Sequence, residues 1–241
     1  NGELGVIFVN TFISALLFRL GNVKKNIGYN REGRGFLLDF SPEINYHKHY
    51  INRYAFLFNE YIGNKYVYLP ELSLRHTGQK TFQFDNSHKT IALYLGGENK
   101  EFRKYPDEYA VQLLRLLNRQ GYNLLLIGDE NDNIKHTQYA EEARIDHLIN
   151  LTARTTIEGF INTIANVDLI ITIDSSALHI AAAVKTPFIA LMGLSTSPTS
   201  TILPKVPLGR ILKIENNLIR EEDYIRNITP DLILKTISEL I

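Results

Sequence analysis

The stretch Asp168-Leu-Ile-Ile-Thr-Ile-Asp174-Ser-Ser-Ala-Leu-His179-Ile-Ala-Ala-Ala183 predicts a buried strand that runs directly into a helix. Its first half is apolar and β-branched, which is typical of a parallel strand covered on both faces. Asp174, Ser175 and Ser176 are residue types that begin helices. The small apolar residues that follow would let this helix pack closely on a sheet.

The start of this predicted helix is a candidate phosphate site. A helix that begins at the carboxyl end of a parallel strand points free N–H groups into the crevice where α/β proteins bind ligands. Ser175 and Ser176 add hydroxyl groups, and His179 would lie on the same face of the helix. The alternative is that Asp174 or Ser175 only caps the helix and that His179 is a hydrogen-bonded core residue, because capped helices after strands are common.

On both sides of this stretch, residues 89–241 alternate strand and helix patterns, which predicts a doubly wound parallel sheet. The predicted strands cover residues 90–96, 123–127, 147–151, 169–173 and 187–192, with a weaker one at 210–214. The predicted helices cover residues 106–119, 131–143, 155–165, 175–184 and 230–240. We expect residues 86–241 to form one domain and residues 1–85 to form a partial N-terminal domain with its linker.

Two further predicted strand-to-helix loops carry residues suited to a nucleotide, and they open on the same side of the sheet. Gly96 and Gly97 let a ligand approach the backbone, and Arg103 or Lys104 can meet a phosphate. The acidic turn at Asp129 suits a ribose or a base better than a phosphate. A Gly-Gly turn with surface charges is the commoner explanation of the first loop when it is taken alone.

The loop that begins at Gly193 is rich in hydroxyl groups and follows the predicted strand 187–192. Several other site types are disfavoured because their motifs are missing from the sequence. There is no phosphate-binding G-x-x-x-x-G-K-[ST] loop, no G-x-G-x-x-G after a strand and no G-x-S-x-G elbow. No cluster has metal-ligand spacing, so we expect no metal.

The composition narrows the partners that the chain can have. The 241 residues carry 26 basic and 26 acidic side chains, so no overall field favours nucleic acid. The sequence contains no cysteine, which excludes disulfides and fits a reducing compartment. We expect a cytoplasmic protein.

The sequence resembles glycosyltransferase family nine, the ADP-heptose:lipopolysaccharide heptosyltransferases. The segment from Ile173 to Ala183, followed by Thr186-Pro-Phe-Ile-Ala-Leu-Met-Gly193, is similar to the family signature. Gly96-Gly-Glu through Arg103-Lys104-Tyr-Pro is similar to its phosphate loop, and the segments near Phe12 and Arg31 resemble its N-terminal domain. Three departures are Ser176 in place of the usual Gly, Arg103 in place of Lys and Tyr105 in place of Trp.

The resemblance implies a GT-B fold, with two Rossmann-like domains and the nucleotide sugar on the C-terminal one. It implies an inverting transfer that needs neither metal nor cofactor. The donor, ADP-heptose or another nucleotide sugar, would contact these residues: Gly96, Gly97, Glu98, Arg103, Lys104, Asp174, Ser175, Ser176, His179 and Gly193. The family's general base would lie upstream of Asn1, so we expect the N-terminal domain to be incomplete and assign no catalytic residue. Two other functions stay open: a non-catalytic nucleotide-binding remnant and a GT-B-like sugar-nucleotide epimerase.

A basic segment near residue 31 is the candidate acceptor site. Arg31 and Arg34 flank glycine in a short loop, and guanidinium groups pair bidentately with the carboxylates and phosphates of a lipopolysaccharide precursor. The same segment would hold the protein loosely at the inner membrane. The alternative is a solvated basic face. Further on, we expect His47 and His49 to lie at a solvated helix start.

Overall fold

The computed structural model describes residues 2–66, 73–193, 202–204, 206–214 and 220–241. It divides into two compact units, Asn1–Glu71 with Ser197–Leu203 and Leu72–Thr196 with Pro204–Ile241. Residues 74–81 belong to the second unit and hydrogen-bond within it: the Leu74 N–H donates to Ala183 O at 3.1 Å, and Thr81 Oγ1 lies 2.6 Å from Thr163 Oγ1. The domain boundary after residue 85 stays a prediction.

The described residues of the first unit include a two-stranded parallel sheet and the helices that follow its strands. In chain order its elements are β1 (Leu4–Ile7), α1 (Phe12–Leu20), β2 (Lys25–Gly28), a 3₁₀ helix (Arg34–Leu37) and α2 (Tyr50–Tyr61). Helix α1 begins at a Thr11 cap, whose hydroxyl accepts from the Ser14 N–H at 3.3 Å. Ile7, Ala15 and Leu37 are buried at the centre of this unit, and apolar side chains of α1 pack around them.

The second unit contains a six-stranded sheet in which all neighbouring strands are parallel. Its strands are β3 (Thr90–Tyr94), β4 (Asn123–Leu126), β5 (Leu148–Asn150), β6 (Leu169–Ile173), β7 (Phe188–Met192) and β8 (Gly209–Lys213). Their order is β5-β4-β3-β6-β7-β8. Every residue of β3, β4, β6 and β7 is buried, which is why these strands appear in the sequence as continuous apolar runs.

Helices follow the strands as the sequence pattern predicts. They are α3 (Asp107–Arg119), α4 (Asn133–Ala143), α5 (Ile157–Ala165), α6 (Ser176–Val184) and α7 (Pro230–Ile237). Pro230 occupies the first turn of α7 behind a Thr229 cap. The α/β fold class with parallel sheets is confirmed. Within the described ranges, we find no helix with the length and apolarity that a membrane crossing requires.

The strand order places a switch point between β3 and β6. The chain runs outward from β3 through β4 to β5, then returns to β6 on the other side of β3 and continues outward to β8. Loops that leave the carboxyl ends of β3 and β6 therefore diverge to opposite faces of the sheet and open a crevice between them. In open α/β sheets this crevice is where ligands bind.

Candidate functional site

The loops after β3 and β6 adjoin at the switch point. Tyr94 of β3 pairs with Thr172 of β6, so the two strands end side by side. Gly96 has a φ of +81°, and a Cβ atom there would lie 2.7 Å from the Ile173 side chain. Both its left-handed backbone and this close contact require glycine. Gly96, which the sequence predicts as a ligand contact, lies at the crevice.

The loop after β4 adjoins the same place. A Cβ atom on Gly97 would lie 2.4 Å from the carbonyl oxygen of Asn131 and 2.7 Å from Asp132 Cα. Lys100 connects the two loops, because its Nζ lies 3.0 Å from Asp129 Oδ2. Three of the strand-to-helix loops selected from the sequence, those after β3, β4 and β6, are thus neighbours at one rim.

Helix α6 begins at the crevice. Ser175 is its N-cap, and the Ser175 hydroxyl accepts from the Ala177 N–H at 3.2 Å and lies 3.0 Å from Thr172 Oγ1. The Ser175 side chain therefore caps the helix, as the alternative interpretation of the sequence predicts. The Ser176 side chain is exposed, Asp174 and His179 are half-buried, and both of these interact with another residue of the protein. The first N–H groups of α6 and the positive end of its dipole lie at this end.

The two predicted phosphate cations have different surroundings. Lys104 Nζ lies 2.8 Å from Asp107 Oδ1, and Lys135 and Tyr139 reach the same carboxylate at 3.1 and 2.6 Å. Partial burial raises the pKa of Asp107, but hydrogen bonds from Lys104, Tyr139 and Lys135 outweigh this effect and lower the pKa to about 2. Arg103 is half-exposed and makes no ion pair with any carboxylate that the structure describes. Arg103 is therefore the better placed of the two for an added anion.

The remaining two donor-site predictions fall at the edges of the described residues. Gly193 directly follows β7 and is tightly packed, since a Cβ atom would lie 2.8 Å from the Phe102 carbonyl oxygen and 3.0 Å from Ile225 Cβ. The rest of its hydroxyl-rich loop, from Leu194 to Ser200, lies outside the described residues. Glu98 begins a 3₁₀ helix, Glu98–Arg103, and its side chain lies outside them as well.

A buried polar cluster below this rim was not found from the sequence. Asp132 and His136 are both fully buried, and Asp132 Oδ2 accepts from the Asp129 N–H at 3.0 Å. Burial raises the pKa of Tyr94 well above its usual range, and Asp132 and Asp129 add to this effect. The Asp129-x-x-Asp132 spacing could have indicated this cluster, because the two residues form a reciprocal helix cap.

The two predicted acceptor arginines have opposite environments. Arg34 is fully buried, and its guanidinium donates to the carbonyl oxygens of Tyr29 (3.0 Å), Thr11 (3.1 Å) and Val9 and to side chains of Ser14 and Asn10. Its donors hold the protein's own loops, so we do not carry Arg34 forward as an acceptor ligand. Arg31 is exposed.

His49 also differs from the prediction of a solvated helix start. It is only 8% exposed, and its Nδ1 accepts from the Ile51 N–H at 3.3 Å, which caps α2. Its Nε2 must then carry the proton that it donates to Leu203 O at 2.9 Å. The ring can be buried without loss of hydrogen bonds, because both of its nitrogens have protein partners.

Comparison with known proteins decides the family. Residues 3–222 match the profile of Glycosyltransferase family 9 (heptosyltransferase). The chain belongs to this family. The family-nine resemblance is thereby confirmed. Similar proteins include lipooligosaccharide heptosyltransferase 2 of Haemophilus influenzae, 26% identical over 99% of this chain and 76% of that protein. Lipopolysaccharide heptosyltransferase 2 of Salmonella typhimurium is 23% identical over 98% of this chain and 74% of that protein.

Solved structures of the family share the fold. The ADP-heptose lipopolysaccharide heptosyltransferase II of E. coli superposes with a TM-score of 0.82 at 21% identity, over 99% of this chain and 76% of that one. A family 9 glycosyltransferase of Veillonella parvula superposes with a TM-score of 0.83 at 15% identity, over 99% and 73%. The predicted GT-B-like class is confirmed.

One departure from the family-nine pattern has a structural explanation. Tyr105, where Trp is usual, is fully buried, and its hydroxyl donates to the Ile228 carbonyl oxygen at 2.8 Å. Burial raises the pKa of Tyr105 well above its usual range, so the hydroxyl stays protonated and remains a donor. This tyrosine fixes the end of the loop that carries Arg103.

Proposed function

We propose that this family 9 glycosyltransferase moves heptose from ADP-heptose to a lipopolysaccharide core acceptor, with inversion and without a metal. The similar proteins of Haemophilus influenzae and Salmonella typhimurium are named as heptosyltransferases of lipooligosaccharide and lipopolysaccharide. Two structures of the E. coli heptosyltransferase WaaC, with TM-scores of 0.73 and 0.75, hold ADP-2-deoxy-2-fluoro heptose and ADP. These names support the donor and the acceptor that we propose for this chain.

The observation that carries the proposal is that the loops after β3 and β4 meet the start of α6 at the switch point. The diphosphate of the donor would lie against the first N–H groups of α6, beside the exposed Ser176 hydroxyl and His179. Gly96 and Gly97 would let it approach the backbone of the β3 loop. The acidic turn at Asp129 would border the ribose or the base.

Negative charge develops on the leaving diphosphate as the bond to the sugar breaks. Fixed donors and dipoles aimed at that charge lower the barrier without reorganising during the reaction. In this proposal the α6 N-terminus and the Arg103 guanidinium supply this stabilisation, and no metal ion takes part. Arg103 would pair with the phosphate oxygens bidentately, and Lys104 would contribute only after loosening its contact with Asp107.

The acceptor would bind to the first unit, and Arg31 is the residue we assign to its anionic groups. The acceptor is an anionic glycolipid of the inner membrane, so the proposal includes a loose contact with the cytoplasmic membrane face. No residue of the chain is assigned as the general base.

Calorimetric titration with ADP, UDP and GDP tests the donor site. ADP should bind most tightly, and His179→Ala should weaken it about ten- to a hundredfold, because a hydrogen bond to a charged group is lost. His147, an exposed histidine of the same unit, provides the control variant His147→Ala. A chelator should leave binding unchanged. The proposal fails if the folded protein binds no ADP, prefers UDP or GDP, or keeps its ADP affinity in His179→Ala.

A further inference from the structure

The connection between β7 and β8 changes units along its course. Met192, at the end of β7, belongs to the second unit, Leu203 belongs to the first, and Pro204 belongs to the second again. The Leu203 carbonyl oxygen accepts from His49 Nε2 at 2.9 Å, and the two residues are 154 positions apart in the sequence. His49 lies directly before α2, so this hydrogen bond ties the connection to the start of that helix.

Capping α2 does not by itself require a histidine. A cap needs only an acceptor for the first N–H groups of a helix, and Ser, Thr, Asp and Asn supply one with a shorter side chain. In this protein His49 Nδ1 is that acceptor, since it accepts from the Ile51 N–H at 3.3 Å. The imidazole ring adds a donor on its far side, and this donor is the group that reaches Leu203.

The residues around His49 are held by a buried guanidinium. Arg53 is only 4% exposed, and its Nη2 donates to the carbonyl oxygens of Tyr46 at 2.9 Å and Lys48 at 3.1 Å. Its guanidinium carbon also lies 4.4 Å from the centroid of the Tyr50 ring, a distance typical of a cation–π pair. The residues on both sides of His49 are thus fixed by Arg53, and a donor on a fixed backbone loses little freedom when it binds.

The other end of the connection is held by close packing. Gly193 directly follows β7, and a Cβ atom there would lie 2.8 Å from the Phe102 carbonyl oxygen and 3.0 Å from Ile225 Cβ. The chain from Gly193 to Leu203 is therefore anchored at both ends. The conformational entropy of a loop grows with the number of residues between its fixed ends, so an anchor at Leu203 limits the freedom of the loop that begins at Gly193.

We propose that His49 is a positioning residue for the donor site, an inference that rests on the proposed function. His49 acts through Leu203, because its Nε2 donor anchors the connection that carries the loop beginning at Gly193. Without this anchor the loop would extend to Gly209, the first residue of β8, and more freedom would be lost when the nucleotide sugar binds. His49 touches no substrate in this role.

Two substitutions separate the anchor from the helix cap. His49→Asn keeps an acceptor where Nδ1 lies, and it has no group that reaches Leu203. His49→Gln has an amide nitrogen that reaches about as far as Nε2, but it lacks the short acceptor that caps α2. His47→Asn is the control, because His47 is an exposed histidine two residues earlier in the same segment.

Amide hydrogen exchange of the full chain measures the anchor and the cap in separate peptides. In His49→Asn the peptide 202–213 should exchange about fivefold faster, as expected for the loss of one neutral hydrogen bond, while the peptide 50–56 should exchange like the wild type. His49→Gln should show the opposite pattern. His47→Asn should match the wild type in both peptides.

Calorimetric titration with ADP measures the consequence for the donor site. His49→Asn should weaken ADP binding about twofold or more, because the loop from Gly193 lengthens from 10 to 16 residues when its second fixed end moves from Leu203 to Gly209. His49→Gln should restore the affinity of the wild type. A merely structural cap predicts the reverse order of the two variants.

The proposal is overturned if the peptide 202–213 exchanges alike in His49→Asn and the wild type, or if His47→Asn has the same effect. It is also overturned if this peptide exchanges faster while ADP affinity stays unchanged, since the hydrogen bond would then serve the fold alone. In these cases ADP binding by the wild type leaves the proposed function intact. A wild type that binds no ADP refutes the proposed function together with the positioning role.

Discussion

His136 should make the second unit sensitive to mild acid. The ring is fully buried on α4, with Nδ1 2.8 Å from Thr152 Oγ1, and its Nε2 has no hydrogen-bond partner in the described structure. Burial lowers the pKa of His136 from 6.5 to about 4, although Asp132 and Asp129 act in the opposite direction. Protonating this ring inside the protein is unfavourable because a buried charge loses its hydration.

The sign and size of the effect follow from this pKa. Between pH 6.5 and about 4 the unfolded chain binds a proton at this histidine and the folded chain does not, so the free energy of unfolding falls as the pH falls. Each pH unit across this window is worth about 1.4 kcal/mol, which amounts to about 3 kcal/mol at its lower end. Above pH 6.5 and below about pH 4 the contribution no longer changes. This change in the free energy of unfolding is a large share of the roughly 5–15 kcal/mol that stabilises a typical domain.

The assay is amide hydrogen exchange of peptides from β4 and β5 across a urea series, corrected for the intrinsic exchange rate at each pH, so that the second unit is read by itself. The wild type is compared with His136→Asn, which cannot gain a proton, and with the control His147→Gln, an exposed histidine of the same unit. The advantage of the wild type over His136→Asn should shrink by about 3 kcal/mol from pH 7 to pH 4. The reasoning is refuted if the stability difference between the wild type and His136→Asn stays constant from pH 7 to pH 4. It is also refuted if the difference between the wild type and His147→Gln changes by the same amount.

Two further predictions concern packing. Gly97→Ala should lower the free energy of unfolding by about 2 kcal/mol, because the new methyl group would overlap the Asn131 carbonyl oxygen, which cannot rotate away. Gly2→Ala is the control, because its Cβ would have its nearest neighbour at 3.7 Å, and its stability should be close to that of the wild type. Thermal unfolding of both variants measures the effect. An equal loss of stability in Gly97→Ala and Gly2→Ala would contradict the argument. Arg34→Ala should cost about 3 kcal/mol or more in urea unfolding, since several buried acceptors lose their donor, whereas Arg31→Ala should change stability by less than about 0.5 kcal/mol. Similar losses for the two arginines would show that burial of Arg34 is not what stabilises the loop.

The strands and helices of the second unit could be predicted closely because their burial constrains residues that are neighbours in the sequence. The strand predicted at residues 169–173 is β6 in the structure, and the helix predicted at 175–184 is α6 with Ser175 as its cap. A parallel strand covered on both faces must be apolar at every position, and a helix must begin with a group that satisfies its free N–H donors. Both requirements act on neighbouring residues, so one sequence displays them.

Side-chain environments were harder to predict when their partners are distant in the chain. Arg31 and Arg34 are three residues apart in one Gly-flanked loop and appear equivalent in the sequence. Arg34 is buried because acceptors on α1 and on the loops that follow β1 and β2 converge on it, from positions 5 to 25 residues away. Lys104 differs from this case, because its partner Asp107 is only three residues away; the tertiary structure adds Lys135, which reaches the same carboxylate.

The sequence by itself determined the α/β class, the alternation of strands and helices in the second unit and the family, because these depend on burial, helix caps and short motifs within a few residues. Only the tertiary structure decided the order β5-β4-β3-β6-β7-β8, and with it which loops meet at one rim. The tertiary structure also decided which charged groups are already paired and which remain open to a ligand. These outcomes depend on backbone pairing and ion pairs between segments tens of residues apart, whose free energies are not encoded in any one segment.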